Sequence, residues 1–115
     1  MRNWAAIRER YLRDGLPTRL GGLAANLVRI KSFADQNGSH EVVASLIEES
    51  KLLIEWTAGE IEVDRAAELV ALQVELAGWQ LRWPRICGNT QARSRVAQEA
   101  ASWSDRVMEM SGLLR

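Results

Sequence analysis

The sequence is short of the residues that interrupt helices, cross-link chains or bind metals, and each shortage narrows the choice of fold and function. It has two prolines, one cysteine and one histidine among 115 residues. A lone Cys87 cannot form a disulfide within the chain, so the fold does not depend on an oxidising compartment. A lone His40 cannot supply the several ligands of a protein metal site. Scarce proline leaves long uninterrupted segments, which favours helices.

Long apolar runs are also missing. None approaches the roughly 20 residues that a membrane-spanning helix needs. The first fourteen residues carry six charged side chains and lack the apolar stretch of a secretory signal. We therefore expect a cytoplasmic protein without a membrane span.

The residues that are abundant point to helices. The chain is 47% hydrophobic and 26% charged, which is typical of a globular domain. Alanine, leucine, arginine and glutamate dominate, and these residues cost least in a helix interior. We predict one domain, residues 1–115, with an all-α fold: an antiparallel up-and-down bundle of four long helices with a short N-terminal helix.

Turn and cap signals place the helix boundaries. The expected boundary residues are Pro17 at the start of the second helix, Asn37-Gly38 at its end, Ser39 and Asp64 as caps of the third and fourth helices, a loosening at Gly59, Pro84 as the end or kink of the fourth, and Asn89 or Thr90 before the last.

Apolar residues recur every three or four positions within these segments, so each helix has a stripe to bury. The predicted stripes are Leu20, Leu23, Leu27, Ile30 and Ala34; Val42, Leu46, Leu53 and Trp56, with Val43, Ile47 and Ile54 beside them; Leu69, Leu72, Leu76, Trp79 and Trp83; and Val96, Ala100, Trp103, Val107, Met110 and Leu114. Gly21 and Gly22 are expected to let a second helix approach closely or to make room for a tryptophan.

The charges are grouped although they sum to zero. The net charge is +5 over residues 1–31, −8 over 32–75 and +3 over 76–115. Helices of opposite net charge can attract one another within the fold, or the charged blocks can bind an external partner. The acidic tract of residues 48–64 is best explained as a solvated surface, with weak cation or basic-partner binding as the alternative.

No pattern of a catalytic, cofactor or metal site stands out. Gly21-Gly22 lacks the strand, lysine and hydroxyl of a phosphate-binding loop, and no diiron glutamate–histidine motif is present. Arg85 could make the Cys87 thiol more reactive, but an incidental half-buried thiol is the simpler interpretation. We predict no cofactor and favour a non-enzymatic protein.

A nucleic-acid interface would need arginines from several helices to meet on one surface. The candidates are Arg8, Arg19, Arg29, Arg82, Arg85, Arg93 and Arg95. With a sequence pI near 6.6 the chain has no net positive charge that would attract a polyanion such as nucleic acid, which argues against this partner.

Five tryptophans are the most unusual feature of the composition. Trp79 and Trp83 are one helical turn apart, and Arg82, Arg85 and Cys87 lie beside them. Two interpretations remain open for this pair: the indoles fill the core, or they form a partner site or ligand pocket, since tryptophan and arginine are enriched at interface hot spots.

Residues 16–27, LPTRLGGLAANL, and 103–114, WSDRVMEMSGLL, resemble a group of small uncharacterised proteins from cyanobacteria. The resemblance implies a bacterial cytoplasm, and it brings no known activity, cofactor or catalytic residue with it.

Three functional hypotheses follow. The first is a self-associating protein–protein interaction module whose contact surface includes Trp79, Arg82, Trp83, Arg85 and Cys87 and extends to the acidic third helix. The second is a helical bundle that binds a small molecule or pigment in a tryptophan-lined pocket. The third is an enzyme that uses His40 or Cys87 in a cleft with acidic partners.

Overall fold

The computed structural model describes residues 2–36 and 39–113, which form five helices and no strand. In chain order these are α1 (Trp4–Leu12), α2 (Leu16–Ala34), α3 (His40–Thr57), α4 (Val63–Ile86) and α5 (Thr90–Ser111), with a 3₁₀ turn at Ala58–Glu60 between α3 and α4. The predicted all-helical fold, with four long helices after a short one, is therefore confirmed. The predicted stop at Asn37-Gly38 and the stripe residue Leu114 lie outside the described residues.

The boundary predictions are correct at some helix ends and wrong at others. Asn89 caps α5, where its side chain accepts a hydrogen bond from the Ala92 N–H at 2.9 Å. Ser39 occupies the cap position of α3, although its side chain makes no capping hydrogen bond. The predicted cap Asp64 is wrong, because α4 begins at Val63, two residues earlier than a cap at Asp64 would place it. Asp64 lies in the first turn, where the helix dipole favours an acid.

Pro84 does not end α4, which continues to Ile86. A proline deprives only one carbonyl of its helical partner, and in the last turn that carbonyl is close to the helix end anyway. The Cys87 N–H still donates to the Trp83 carbonyl at 2.9 Å and closes the turn beyond the proline.

The predicted stripes of α2 and α4 form the core as expected. The buried apolar residues, by helix, are Leu20, Leu23, Ala24, Leu27, Ile30 and Ala34 of α2; Val43, Leu46, Ile47, Leu53 and Ile54 of α3; Leu69, Leu72, Leu76, Trp79 and Trp83 of α4; and Val96, Ala97, Ala100, Val107 and Met110 of α5.

Two stripe predictions need correction. In α3 the buried face is turned towards Val43 and Ile47, which leaves Val42 exposed and Trp56 half-buried. In α5 Trp103 is half-buried under the guanidinium of Arg106, 4.4 Å from the ring centroid. Its neighbour Ser104 is buried instead and donates a hydrogen bond to the Ala24 carbonyl of α2 at 3.1 Å.

Small residues set the spacing between α2 and α5, the most extensive helix contact over the described residues. Ala24, Ala97, Ala100 and Ser104 are all buried, so the two backbones can approach closely. Gly21 contributes to this close contact, since a Cβ there would lie 2.8 Å from Cδ1 of Leu113. At Gly21 the space is taken by the Leu113 side chain, which follows the end of α5, rather than by a second helix or a tryptophan as predicted.

Tyr11 connects the short helix α1 to the rest of the fold. Its hydroxyl donates to the Arg19 carbonyl of α2 at 2.9 Å and accepts a hydrogen bond from Thr57 Oγ1 of α3 at 3.2 Å. Its ring packs on Trp56 with centroids 6.0 Å apart. Burial raises the pKa of the Tyr11 hydroxyl, since a buried phenolate would lose its hydration.

Gly21 and Gly22 offer a matched pair of substitutions. Alanine is favoured over glycine in a helix by about 1 kcal/mol. A Cβ at Gly22 meets only Tyr11 Cε1 at an ordinary 3.9 Å. We therefore expect Gly22→Ala to raise the free energy of unfolding in urea by up to about 1 kcal/mol. Gly21→Ala should gain less, because Leu113 must move. Equal gains for the two variants would contradict the packing of Leu113 on α2.

Candidate interaction surface

The outward side of α4 is apolar over most of its length. Between Arg65 and Arg82, every exposed residue of this fully described helix is alanine, valine or leucine. These residues are Ala67, Val70, Ala71, Val74, Ala77 and Leu81, and Val63 precedes them at the start of the helix. Single exposed aliphatic side chains are ordinary on protein surfaces, but a continuous row along a helix marks a contact surface.

The row is well exposed. Val63, Val74 and Leu81 have 81%, 68% and 82% of their surface open to solvent. From Val63 to Leu81 the row extends about 27 Å at 1.5 Å per residue. Glu68 and Glu75 lie on the flank of α4 that faces α5, where Glu68 pairs with Arg106 and Glu75 with Glu99. The apolar row itself therefore carries no charge over about four turns, and the nearest carboxylates lie on its flank towards α5.

The exposed residues follow a regular spacing. Val63, Ala67, Val70, Val74, Ala77 and Leu81, which we call the outer stripe, are separated by alternating steps of four and three. The core-facing residues of α4, which we call the inner stripe, are Leu69, Leu72, Leu76, Trp79 and Trp83, separated by three and four. Alternating steps of this kind keep one face of a helix against a neighbouring helix. α4 is thus patterned for partners on two sides.

Charged residues mark the two ends of the outer stripe. The exposed acids Glu62 and Asp64 lie at its N-terminal end, and the exposed cations Arg82 and Arg85 at its C-terminal end. Asp64 and Arg82 are about five turns apart and so lie on the same side of the helix. A Cβ at Gly78 would lie only 3.3 Å from the Arg82 guanidinium. Because Gly78 has no side chain, the Arg82 side chain can pack against the surface of α4 at this position.

The sequence-predicted site, Trp79 to Cys87, is divided between the core and the surface. Trp79 is 1% and Trp83 6% exposed, so both indoles belong to the core, one of the two interpretations left open above. Trp83 Nε1 donates to the His40 carbonyl at 2.9 Å. Arg82 and Arg85 are exposed. Partner binding at this corner stays a prediction, and these arginines are its accessible part.

Cys87 and Arg93 together close the C-terminal end of α4. The Cys87 thiol is half-buried, with Sγ 3.5 Å from the Pro84 carbonyl. Arg93 of α5 is buried, and its Nη1 donates to the Cys87 carbonyl at 2.9 Å. A cation is favourable at this position because the last carbonyls of a helix carry partial negative charge.

The predicted arginine patch is assembled only in part: Arg82 lines adjoining grooves with Arg95 and with Arg85, whereas other candidates lie elsewhere. Arg19 and Arg93 are buried within the fold. The Arg19 guanidinium donates to the Asp14 carbonyl at 2.8 Å and pairs with Glu60 at 2.9 Å. Two of the seven candidates therefore serve internal contacts, which weakens the case for a polyanion partner further.

A groove separates α4 from α5 at the end where Arg82 lies, since these two helices touch each other less than α2 and α5 do. Its volume is about 330 Å³. Trp79, Ile86 and Val96 give it apolar surface, and Arg82, Arg95 and Glu99 give it charge. Arg82 and Arg95 form no ion pair within the part of the chain that is described.

Glu99 and Glu75 approach each other across this groove. Partial removal from water raises the pKa of the Glu99 carboxyl, and the charge of Glu75 and a hydrogen bond to it raise that pKa further. The nearby cations Arg95 and Arg82 lower it in part. Repulsion from the Glu75 charge is thus one cause of the raised pKa of Glu99, after its partial removal from water.

Glu99→Gln tests this repulsion. Because the pKa of Glu99 is raised above its ordinary 4.5 in the folded state, the folded chain binds more protons than the unfolded chain between these two values. Stability should therefore rise as the pH falls from neutral towards 4.5. We expect Glu99→Gln to raise the melting temperature at neutral pH and to reduce this dependence on pH. Glu109→Gln, an exposed site on the same helix, is the control and should do neither.

Metal and membrane sites are not evident in residues 2–36 and 39–113. No group of three or more histidine, cysteine, aspartate or glutamate side chains there could hold a metal ion. No helix within these ranges combines the length and apolar character needed to span a membrane.

In comparisons with models of known protein families, with curated proteins and with solved structures, the chain matches none. The functional assignment therefore depends on the surfaces described above.

The outer stripe was not predicted from the sequence, although a signal for it was present. Twelve of the nineteen residues from Val63 to Leu81 are apolar, more than one buried stripe requires. A helix that is apolar on two sides is either buried on both or has a partner outside the chain.

Proposed function

We propose that this protein is a non-enzymatic, self-associating helical interaction module, and that the outer stripe of α4 is its contact surface for a second copy. One observation carries the proposal: an uncharged apolar row about 27 Å long on a single exposed helix face. The proposed contact surface thus differs from the one predicted from the sequence, which was centred on Trp79 and Trp83.

The energetics favour a reversible dimer. Val63, Val74 and Leu81 are the most exposed members of the stripe, and full burial of one such side chain contributes about 1.5–3 kcal/mol. Two copies bring six of them together, a gain on the order of 10 kcal/mol. Association costs about 4–15 kcal/mol in lost freedom of motion. Since gain and cost are similar, the extent of dimerisation should depend on concentration.

A second copy fits this surface better than a membrane does. Helices that lie on membrane surfaces carry lysine and arginine along their polar flanks. The flank of α4 beside the stripe instead carries Glu68 and Glu75 along its middle, which anionic lipids would repel, and the exposed cations Arg82 and Arg85 are confined to one end. Another copy of the same stripe has matching length, spacing and lack of charge.

Val70→Glu tests the proposal, with Val28→Glu as the matched control. Val70 is 48% exposed on the outer stripe, and Val28 is 47% exposed on α2. A dimer of Val70→Glu would bury two carboxylates without partners, at roughly 1–3 kcal/mol each. We expect sedimentation velocity to show a Kd raised about a hundredfold, whereas Val28→Glu should leave the Kd unchanged.

Thermal unfolding monitored by circular dichroism would verify that both variants remain folded. A wild-type protein that stays monomeric at high concentration, or equal effects of the two substitutions, would refute the proposal.

We infer further that the four long helices run antiparallel in an up-and-down bundle. The support is that a residue near the start of one helix contacts a residue near the end of its neighbour, and that pairs further along the helices keep this opposite order. Such pairs are Arg19–Glu60 and Asn26–Glu49 between α2 and the α3 region, Gln73–Lys51 and Trp83–His40 between α4 and α3, and Arg106–Glu68 between α5 and α4.

A second candidate function is binding of a small organic anion in the groove between α4 and α5. The observation that favours it is the combination of Trp79 and Val96 with two guanidinium groups, Arg82 and Arg95. A volume of about 330 Å³ is at the lower end of ligand sites, which suits a small molecule better than a large pigment. The apolar body would lie against Ile86, beside the edge of the Trp79 indole, while the anionic group binds the arginines.

Titration with benzoate, and with uncharged benzamide as the matched control, tests this candidate. We expect benzoate to shift the Trp79 indole N–H resonance in a saturable manner, and expect Arg95→Ala to remove that shift, because the charge-assisted hydrogen bond is lost. Benzamide should leave the resonance in place. No response to benzoate, or an equal response to benzamide, would exclude an anion site in the groove.

The proposed location is the bacterial cytoplasm, in keeping with the resemblance to cyanobacterial proteins. A half-buried unpaired Cys87 is compatible with a reducing compartment.

A further inference from the structure

We propose that two copies pair through α4 in antiparallel orientation, with Val63 of one copy opposite Leu81 of the other. This inference rests on the proposed self-association and specifies its geometry. The contact would be symmetric, because the same stripe serves both copies.

The order of side-chain sizes along the outer stripe permits this reversal. Reading from Val63 to Leu81, the sizes are large, small, large, large, small, large, and the reverse order is the same. Antiparallel pairing therefore places Ala67 opposite Ala77 and Val70 opposite Val74. Each layer joins side chains of similar size, so the two helices can lie at a constant separation along the stripe.

The charges at the ends of the stripe favour antiparallel over parallel pairing. Glu62 and Asp64 at one end and Arg82 and Arg85 at the other are all exposed. Antiparallel pairing places the acidic end of each copy against the basic end of the other, twice by symmetry. Parallel pairing would place acid beside acid and arginine beside arginine. The outer stripe between the ends carries no charge, and Glu68 on its flank is already paired with Arg106, so the attraction that favours antiparallel pairing comes from these ends.

The position of Arg82 and Asp64 strengthens this argument. Both lie on the same side of α4, about five turns apart. When two helices face each other antiparallel, the corresponding flanks meet, so Asp64 of one copy would lie along the flank that carries Arg82 and Arg85 of the other. Because Gly78 has no side chain, the Arg82 guanidinium lies close to the helix and beside the stripe.

Disulfide cross-linking between single-cysteine variants tests the orientation. Val63→Cys and Leu81→Cys would each be made in a Cys87→Ser background, which removes the native thiol. Both sites are more than 80% exposed, so neither substitution should disturb the core. Each variant would be oxidised alone, and the two would then be oxidised as an equimolar mixture.

We expect rapid formation of a covalent dimer in the mixture and little in either variant alone. Val70→Glu added to both variants should abolish this cross-link, which would show that it depends on the outer stripe rather than on random collision.

Cross-linking of each variant with itself, and not in the mixture, would overturn the antiparallel orientation while leaving self-association intact. Absence of a non-covalent dimer of the wild-type protein in sedimentation would instead overturn the proposed function, so the two failures are distinguishable.

Discussion

A helix within a small bundle can bury only one side against its own chain, and α4 has apolar side chains on two. Leu69, Leu72 and Leu76 take the inner side and form part of a fully buried core. The residues of the outer stripe then have no neighbour left within the described chain. The stability of the domain and its proposed contact with a second copy thus depend on opposite sides of the same helix.

Side-chain size explains how the helices are spaced. α2 and α5 meet through alanines and Ser104, whereas Trp79, the largest fully buried side chain, lies between α4 and its neighbours. A bulky indole holds α4 further from α5 than alanines would. The groove with Arg82 and Arg95 occupies the resulting space.

The helices and most core positions could be predicted from the sequence because they follow local rules. Spacing of three and four identified the inner stripe, and the cap preference of asparagine identified Asn89. The rotation of α3 and the exposure of Trp103 could not be predicted, since they depend on which neighbours each helix meets. The burial of Arg93 could not be predicted either. Arginine is normally expected at the surface, and the partner that allows its burial is a backbone carbonyl, which no sequence pattern reveals. The apolar residues of the outer stripe are visible in the sequence of α4. They were not recognised as a second surface because the pattern was searched only for residues that face the core.

The hydroxyl of Tyr11 has a further consequence for how the N-terminal segment can be altered. α1 has nine residues, fewer than an isolated helix needs to persist in water. Its order therefore depends on docking, and one phenolic oxygen joins it to both α2 and α3. Deletion of residues up to and including Tyr11 would leave the Thr57 hydroxyl without its hydrogen-bond acceptor and expose the ring of Trp56. Tags and fusions should therefore be better tolerated ahead of Arg2 than in place of α1.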